Sequence, residues 1–279
     1  MTTLMNDVYE ELLNRGFAVE AVECVKLNEK LQGLVIKQQD DMIAPIVYDS
    51  MLEQLERQNT GISGIVDALL EHLKDTDLSK VDPKRFLDAA FILEHVQVRL
   101  CRGDWNREYL EQTVSEQVEE TDLYIYPAAC DESYSVMITR QILKDLDLSA
   151  ELVMEKAKQN TRENSEVLPM SAVLSEFFGD MGEMPGEATM VLISNHARHY
   201  GAGSLMDRDA LEKARTLLHA EEIFLIPSSV HELLAIKAVG DTAFIKQMIC
   251  DVNTDVVEQR DMLSDHAYLY DGTGIVSIW

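Results

Sequence analysis

The chain has 279 residues, of which 46% are apolar and 27% charged, with 50 acids against 24 Lys and Arg and a net charge of −26. That composition excludes a disordered or low-complexity chain, and at about 150 residues per domain the length suggests two domains, with one large domain the alternative. The charge argues against direct nucleic-acid binding and against an anionic membrane surface, because both need clustered Lys and Arg. The basic stretches at residues 80–85 and 156–162 are broken by acids or neutral residues.

Residues 4–14 place Leu4, Val8, Leu12 and Leu13 on one helical face, and Gly16 suits the position past the helix end. Residues 17–26 and 31–38 read as strands around an Asn28-Glu29-Lys30 turn, and residues 42–48 as a third strand that Pro45 confines to an edge or bulge. Asp49 is the expected cap of the next helix. Ile62, Ile65, Val66, Leu69, Leu70 and Leu73 predict a further helix. Another starts at Pro83 behind Asp82 and continues through residues 86–93.

Residues 95–101 alternate like a strand, residues 106–112 suit a short helix and residues 114–118 an extended link. Residues 123–130 and 133–138 predict a hairpin around Asp131 and Glu132. Thr139 and Ser149 cap the two helices that follow, and residues 171–178 are helical after Pro169. Residues 179–186, Gly-Asp-Met-Gly-Glu-Met-Pro-Gly, are the clearest break, a flexible loop near 179–187 whose Met181 and Met184 suit partner contact.

Beyond it, residues 189–194 predict a strand and residues 201–206 its partner, with Asp207 capping a helix over 208–218. Strands over 223–226 and 233–238, a helix over 242–252 and a terminal hairpin over 266–278 complete the chain.

Residues 31–55, 121–146 and 188–214 share one order: strand, turn, strand, cap, helix, with caps Asp49, Thr139 and Asp207. The pattern predicts an α+β fold of antiparallel sheets with helices, built of repeated ββα units in two packed halves. The expected division is 1–118 and 119–279.

Three stretches carry a resemblance: residues 223–236 with Ile226-Pro227-Ser228-Ser229-Val230-His231-Glu232, residues 244–253 with Val252-Asn253, and residues 263–271 with Ser264-Asp265-His266. Residues 106–110 and 43–48 match in style. The chain resembles the uncharacterised Firmicutes domain-of-unknown-function family 5688 over most of its length. The resemblance implies a bacterial cytoplasmic protein and implies no activity.

Ser228, Ser229, His231, Asp265 and His266 are the candidate catalytic residues. They supply a nucleophile, a base and an orienting acid, with Glu232 an alternative acid. No G-x-S-x-G elbow accompanies them. Local chemistry also explains them: Ser229 with Glu232 forms a capping box, and Ser264 with Asp265 a turn. His231, Glu232, Asp265 and His266, or the pair His196 and His199, have metal-ligand chemistry, but no H-E-x-x-H accompanies them and no metal is assigned. Gly201-Ala202-Gly203-Ser204 lacks the lysine of a phosphate loop and suits a hairpin turn, as does Asp271-Gly272-Thr273-Gly274.

Cys24, Cys101, Cys130 and Cys250 form no C-x-x-C pair and suit reduced thiols. The first residues lack a basic and apolar leader, so the expected location is cytoplasmic. No cofactor motif is complete. The expected function is a non-enzymatic interaction or regulatory protein with an unknown protein partner. The alternatives are a hydrolase or metal-dependent enzyme at the Ser/His/Asp residues, and an acidic nucleic-acid mimic.

Overall fold

The computed structural model describes residues 1–37, 45–75, 82–131, 135–178, 188–240 and 242–278. The break predicted at residues 179–186, with Met181 and Met184, lies outside them, as do Glu132 and the first residues of the strand expected at 42–48. The chain divides into two compact units, Met1–Arg85 and Phe86–Trp279. The division expected at 118/119 falls between two strands of one sheet in the second unit.

The first unit runs α1 (Thr3–Asn14), β1 (Ala18–Lys26), β2 (Glu29–Lys37), β3 (Ile46–Tyr48), α2 (Asp49–Gln58) and α3 (Gly61–Asp75). Its antiparallel sheet has the order β1-β2-β3. Lys26 pairs with Glu29, so Leu27 and Asn28 form the hairpin corner, and Asn28 takes a left-handed φ of 61° that asparagine tolerates. Met5, Val8 and Leu12 of α1 pack with Leu34, Val47, Leu52 and Leu69 in one core. Asp49 is not the cap of α2: Tyr48 holds that position without a side-chain bond, while the Asp49 carboxylate accepts from the Thr2 hydroxyl at 2.7 Å.

A 3-10 turn at Pro83–Leu87 ends at Asp88, which caps α4 (Ala89–His95) by accepting from the amides of Ala90 and Phe91. The second unit continues through β4 (Val96–Arg102), α5 (Arg107–Glu111), β5 (Glu116–Gln117), β6 (Leu123–Cys130), β7 (Ser135–Met137), α6 (Arg140–Asp145) and α7 (Ala150–Asn164). Then come β8 (Ser165–Pro169), α8 (Met170–Phe178), β9 (Val191–Asn195), α9 (Arg208–Leu217), β10 (Ile223–Ile226) and β11 (Leu233–Lys237). The last elements are α10 (Thr242–Asp255), β12 (Tyr268–Tyr270) and β13 (Ile275–Ser277).

The fold is α+β, with antiparallel pairing in all three sheets. In the second unit, β4 and β5 flank β6, which also pairs with β7. A six-stranded sheet has the order β13-β12-β10-β11-β9-β8. The free edge of β4 is closed by α7: the Val98 amide donates to Thr161 Oγ1 at 2.8 Å, and Asn160 Nδ2 donates to the carbonyls of Leu93, Glu94 and Val96. Covering an edge this way removes a template for strand addition. Phe224, Ile226 and Ala267 pack with Ile245 and Ile249 of α10 on one face of the six-stranded sheet.

The repeat of ββα units is not confirmed, because the third unit lacks its second strand. Residues Gly201–Met206 form a 3-10 turn instead. A Cβ on Gly201 would collide with Ser194 Oγ and the Asn195 amide, and one on Gly203 with the Val98 carbonyl. The glycines are there for close backbone approach, not for a hairpin corner. A strand was also unforeseen: β8 follows α7 directly and is held by its pairing with β9.

Candidate functional site

Residues 227–232 connect β10 to β11. They form no helical turn, so the expected capping box is absent. Ser229 Oγ instead accepts from the His231 amide at 3.0 Å, two residues on, and donates to Glu232 Oε1 at 2.9 Å. Such a serine turn replaces backbone hydrogen bonds that a tight corner loses. Ser228 Oγ donates to the same Glu232 oxygen at 3.1 Å. Both candidate nucleophiles therefore face a carboxylate rather than an imidazole.

The His231 ring is fixed from both sides. Its Nδ1 accepts from the Tyr200 amide at 3.0 Å, which leaves the proton of the neutral ring on Nε2. Nε2 lies 3.5 Å from Asp261 Oδ1. The ring stacks on His199, with centroids 5.1 Å apart and planes at 20°. The loop carrying His199 is tightly wound: Arg198 and Tyr200 have φ of 49° and 52°, and the Asn195 side chain bonds both the amide and the carbonyl of His199. Burial, followed by the nearby His231 and Arg99, lowers the His199 pKa from 6.5. His196 lies instead 3.6 Å from Glu166 Oε1, so the two histidines of His196-x-x-His199 have separate partners.

The second group sits before β12. Ser264 is fully buried and its Oγ accepts from the His266 amide at 3.0 Å, the same two-residue turn as at Ser229. Here the turn meets charge. The Tyr268 hydroxyl donates to Asp122 Oδ1 at 2.6 Å, and Ser264 Oγ lies 2.8 Å from that hydroxyl and 3.2 Å from Asp122 Oδ2. Burial, then the Asp122 charge, raises the Tyr268 pKa, so the phenol stays protonated and donates.

Arg102 joins the group from the end of β4. Its Nε lies 2.7 Å from Asp104 and 3.1 Å from Asp122, its Nη1 bonds Asp265, and its guanidinium covers the Trp105 ring at 4.4 Å. His266 Nδ1 lies 3.3 Å from Asp122 Oδ2 but off the line of a hydrogen bond, and Nε2 lies 3.5 Å from Asp265. Asp122, Asp265 and His266 thus bring three possible ligand atoms within 4.8 Å of one another. The Arg102 guanidinium already engages both carboxylates. A cleft of about 700 Å³ opens beside them, lined by Arg102, Asp104, Arg107, Asp122, Arg140 and His266.

Asp265 and His266 are therefore together, and Ser228 and Ser229 are together with Glu232. Among the described residues, the polar contacts of His231 and of His266 share no residue. Arg102, Asp122, Tyr268, Tyr200 and Asp261 complete these groups and were not foreseen. One signal pointed to the first: β4 places two arginines among the apolar residues Val96, Val98, Leu100 and Cys101. Such a charge is buried only against a partner.

The profile of a family described as "Family of unknown function (DUF5688)" matches residues 1–272. The chain belongs to that family. No curated protein and no solved structure matches the chain.

Proposed function

We propose that this DUF5688 chain is a non-enzymatic interaction or regulatory protein of the bacterial cytoplasm, and that it binds a basic protein through α8. One observation carries the reading: α8, Met170-Ser171-Ala172-Val173-Leu174-Ser175-Glu176-Phe177-Phe178, has no buried residue. Phe177 and Phe178 are each 73% exposed. Exposed aromatic side chains side by side cost solvation and suit a protein partner. The helix follows β8, which lies at the end of its sheet and whose only ladder among the described residues is with β9.

The charge of −26 favours a cationic partner over a second copy, because like-charged copies repel. The four cysteines are free thiols, which suits a reducing compartment. No helix among the described residues is long and apolar enough to cross a membrane.

The test is a photocrosslinking residue at position 177 in cells that express the chain, followed by titration of the purified crosslinked protein. The reading expects a basic partner whose binding weakens at least about ten-fold with Phe178→Ser and falls as salt rises. Binding unchanged by Phe178→Ser overturns it. So does a hydrolytic or metal-dependent activity abolished by His266→Asn or His231→Gln, which would move the function to the enzyme alternative.

A further inference from the structure

Arg99 is 3% exposed, yet it has no carboxylate partner among the described residues. Its Nη1 donates to the carbonyls of His199 and Tyr200 at 3.2 and 2.7 Å. Its Nη2 donates to Cys130 Sγ at 2.7 Å and to Ser135 Oγ at 3.3 Å. The guanidinium carbon lies 4.5 Å from the centre of the Tyr200 ring. Its Nε is buried with no hydrogen-bond partner. A permanently charged guanidinium enclosed by neutral groups is costly, and an adjacent anion offsets that cost. Of the groups that Arg99 touches, the Cys130 sulfur is the nucleophile toward peroxides and alkylating reagents.

Cys130 ends β6 and is half-buried, so reagents reach it. The other thiols differ. Cys101 is buried, and burial pushes its thiol pKa up, Cys250 is exposed on α10, and Cys24 is half-buried on β1.

We propose that Cys130 is an electrophile- and peroxide-sensitive site whose sulfur is activated by the buried Arg99 guanidinium. The Cys130 sulfur, beside Arg99 Nη2 and with its proton passed to solvent, attacks one oxygen of a hydroperoxide. The S–O bond forms and the O–O bond breaks. Sulfur is oxidised to the sulfenic acid, which keeps the hydrogen of the attacked oxygen, and the peroxide is reduced to an alcohol or water whose leaving oxygen takes a proton from solvent. This inference is independent of the α8 surface.

The experiment treats the full chain with limiting iodoacetamide and follows each cysteine by mass spectrometry. The proposal expects Cys130 to be alkylated about ten-fold faster than Cys250, although Cys250 is more exposed. One equivalent of hydrogen peroxide should leave a dimedone-reactive sulfenate on Cys130 and not on Cys250. Arg99→Met should bring the two alkylation rates together, with Cys130→Ser as the assignment control. Should Arg99→Met fail to fold, the wild-type comparison still decides. Labelling of Cys250 ahead of Cys130, or no sulfenate on Cys130, overturns the proposal.

Discussion

Two stretches of this chain share a local design and differ in what surrounds it. At Ser229-Val230-His231 and at Ser264-Asp265-His266, a serine oxygen accepts from the histidine amide two residues later at 3.0 Å. Around His231 the ring is held by the Tyr200 backbone amide and by stacking on His199. Around His266 an arginine meets three aspartates. The same turn motif can therefore end in a packing joint or in a charge cluster. The difference is made by residues far away in sequence.

The largest effect should come from Arg102. Arg102→Ala leaves Asp104, Asp122 and Asp265 without their cation, and we expect a loss of about 3 kcal/mol in urea unfolding. The double variant with Asp122→Asn should lose less than the sum of the singles, because one interaction is removed twice. Additive losses would mean that Arg102 acts by packing on Trp105 alone.

Tyr268→Phe removes the donor to Asp122 and should cost about 1–2 kcal/mol by the same measurement. A neutral result would mean that water or Ser264 replaces the phenol without loss. At the other turn, Ser229→Ala removes both the amide contact to His231 and the contact to Glu232, and should cost about 1 kcal/mol. Ser228→Ala removes only the Glu232 contact and should cost about half as much. A reversed order would break the account of the His231 turn.

The smallest effect is in pH. The His199 pKa lies below 6.5 in the folded chain, so below 6.5 the unfolded chain binds more protons. Stability then rises with pH in that window and is lost as pH falls from 6.5 toward the folded value. Thermal melting against pH should show this slope, and His199→Gln should flatten it. A slope of opposite sign would mean that protonated His199 is stabilised by Asp261.

Much of the fold was legible from local chemistry. Thr139, Ser149 and Asp207 cap their helices as expected, because a side-chain oxygen before an apolar-periodic run satisfies free amides. Residues 201–206 misled because glycine serves both hairpin corners and close packing, and only the Val98 and Ser194 neighbours decide between them. The strand β8 carries no signal of its own beyond its pairing with β9. In the candidate site the Ser264 turn was legible, since its partner is two residues away, whereas Ser229 was expected in a capping box and instead turns back on the His231 amide. Asp122 was not, because it lies 142 positions from Ser264. Arg102 lies 163 positions from Asp265. Spacing carries no trace of such contacts.

The most direct test of the central claim, that the α8 surface and not the histidine turns carries the function, is photocrosslinking from position 177 in two backgrounds. One is the native chain, the other carries His231→Gln and His266→Gln. The account predicts the same basic partner in both, and its loss with Phe178→Ser. Crosslinks no stronger than those from exposed Leu13, or a partner lost only when the histidines change, would contradict it.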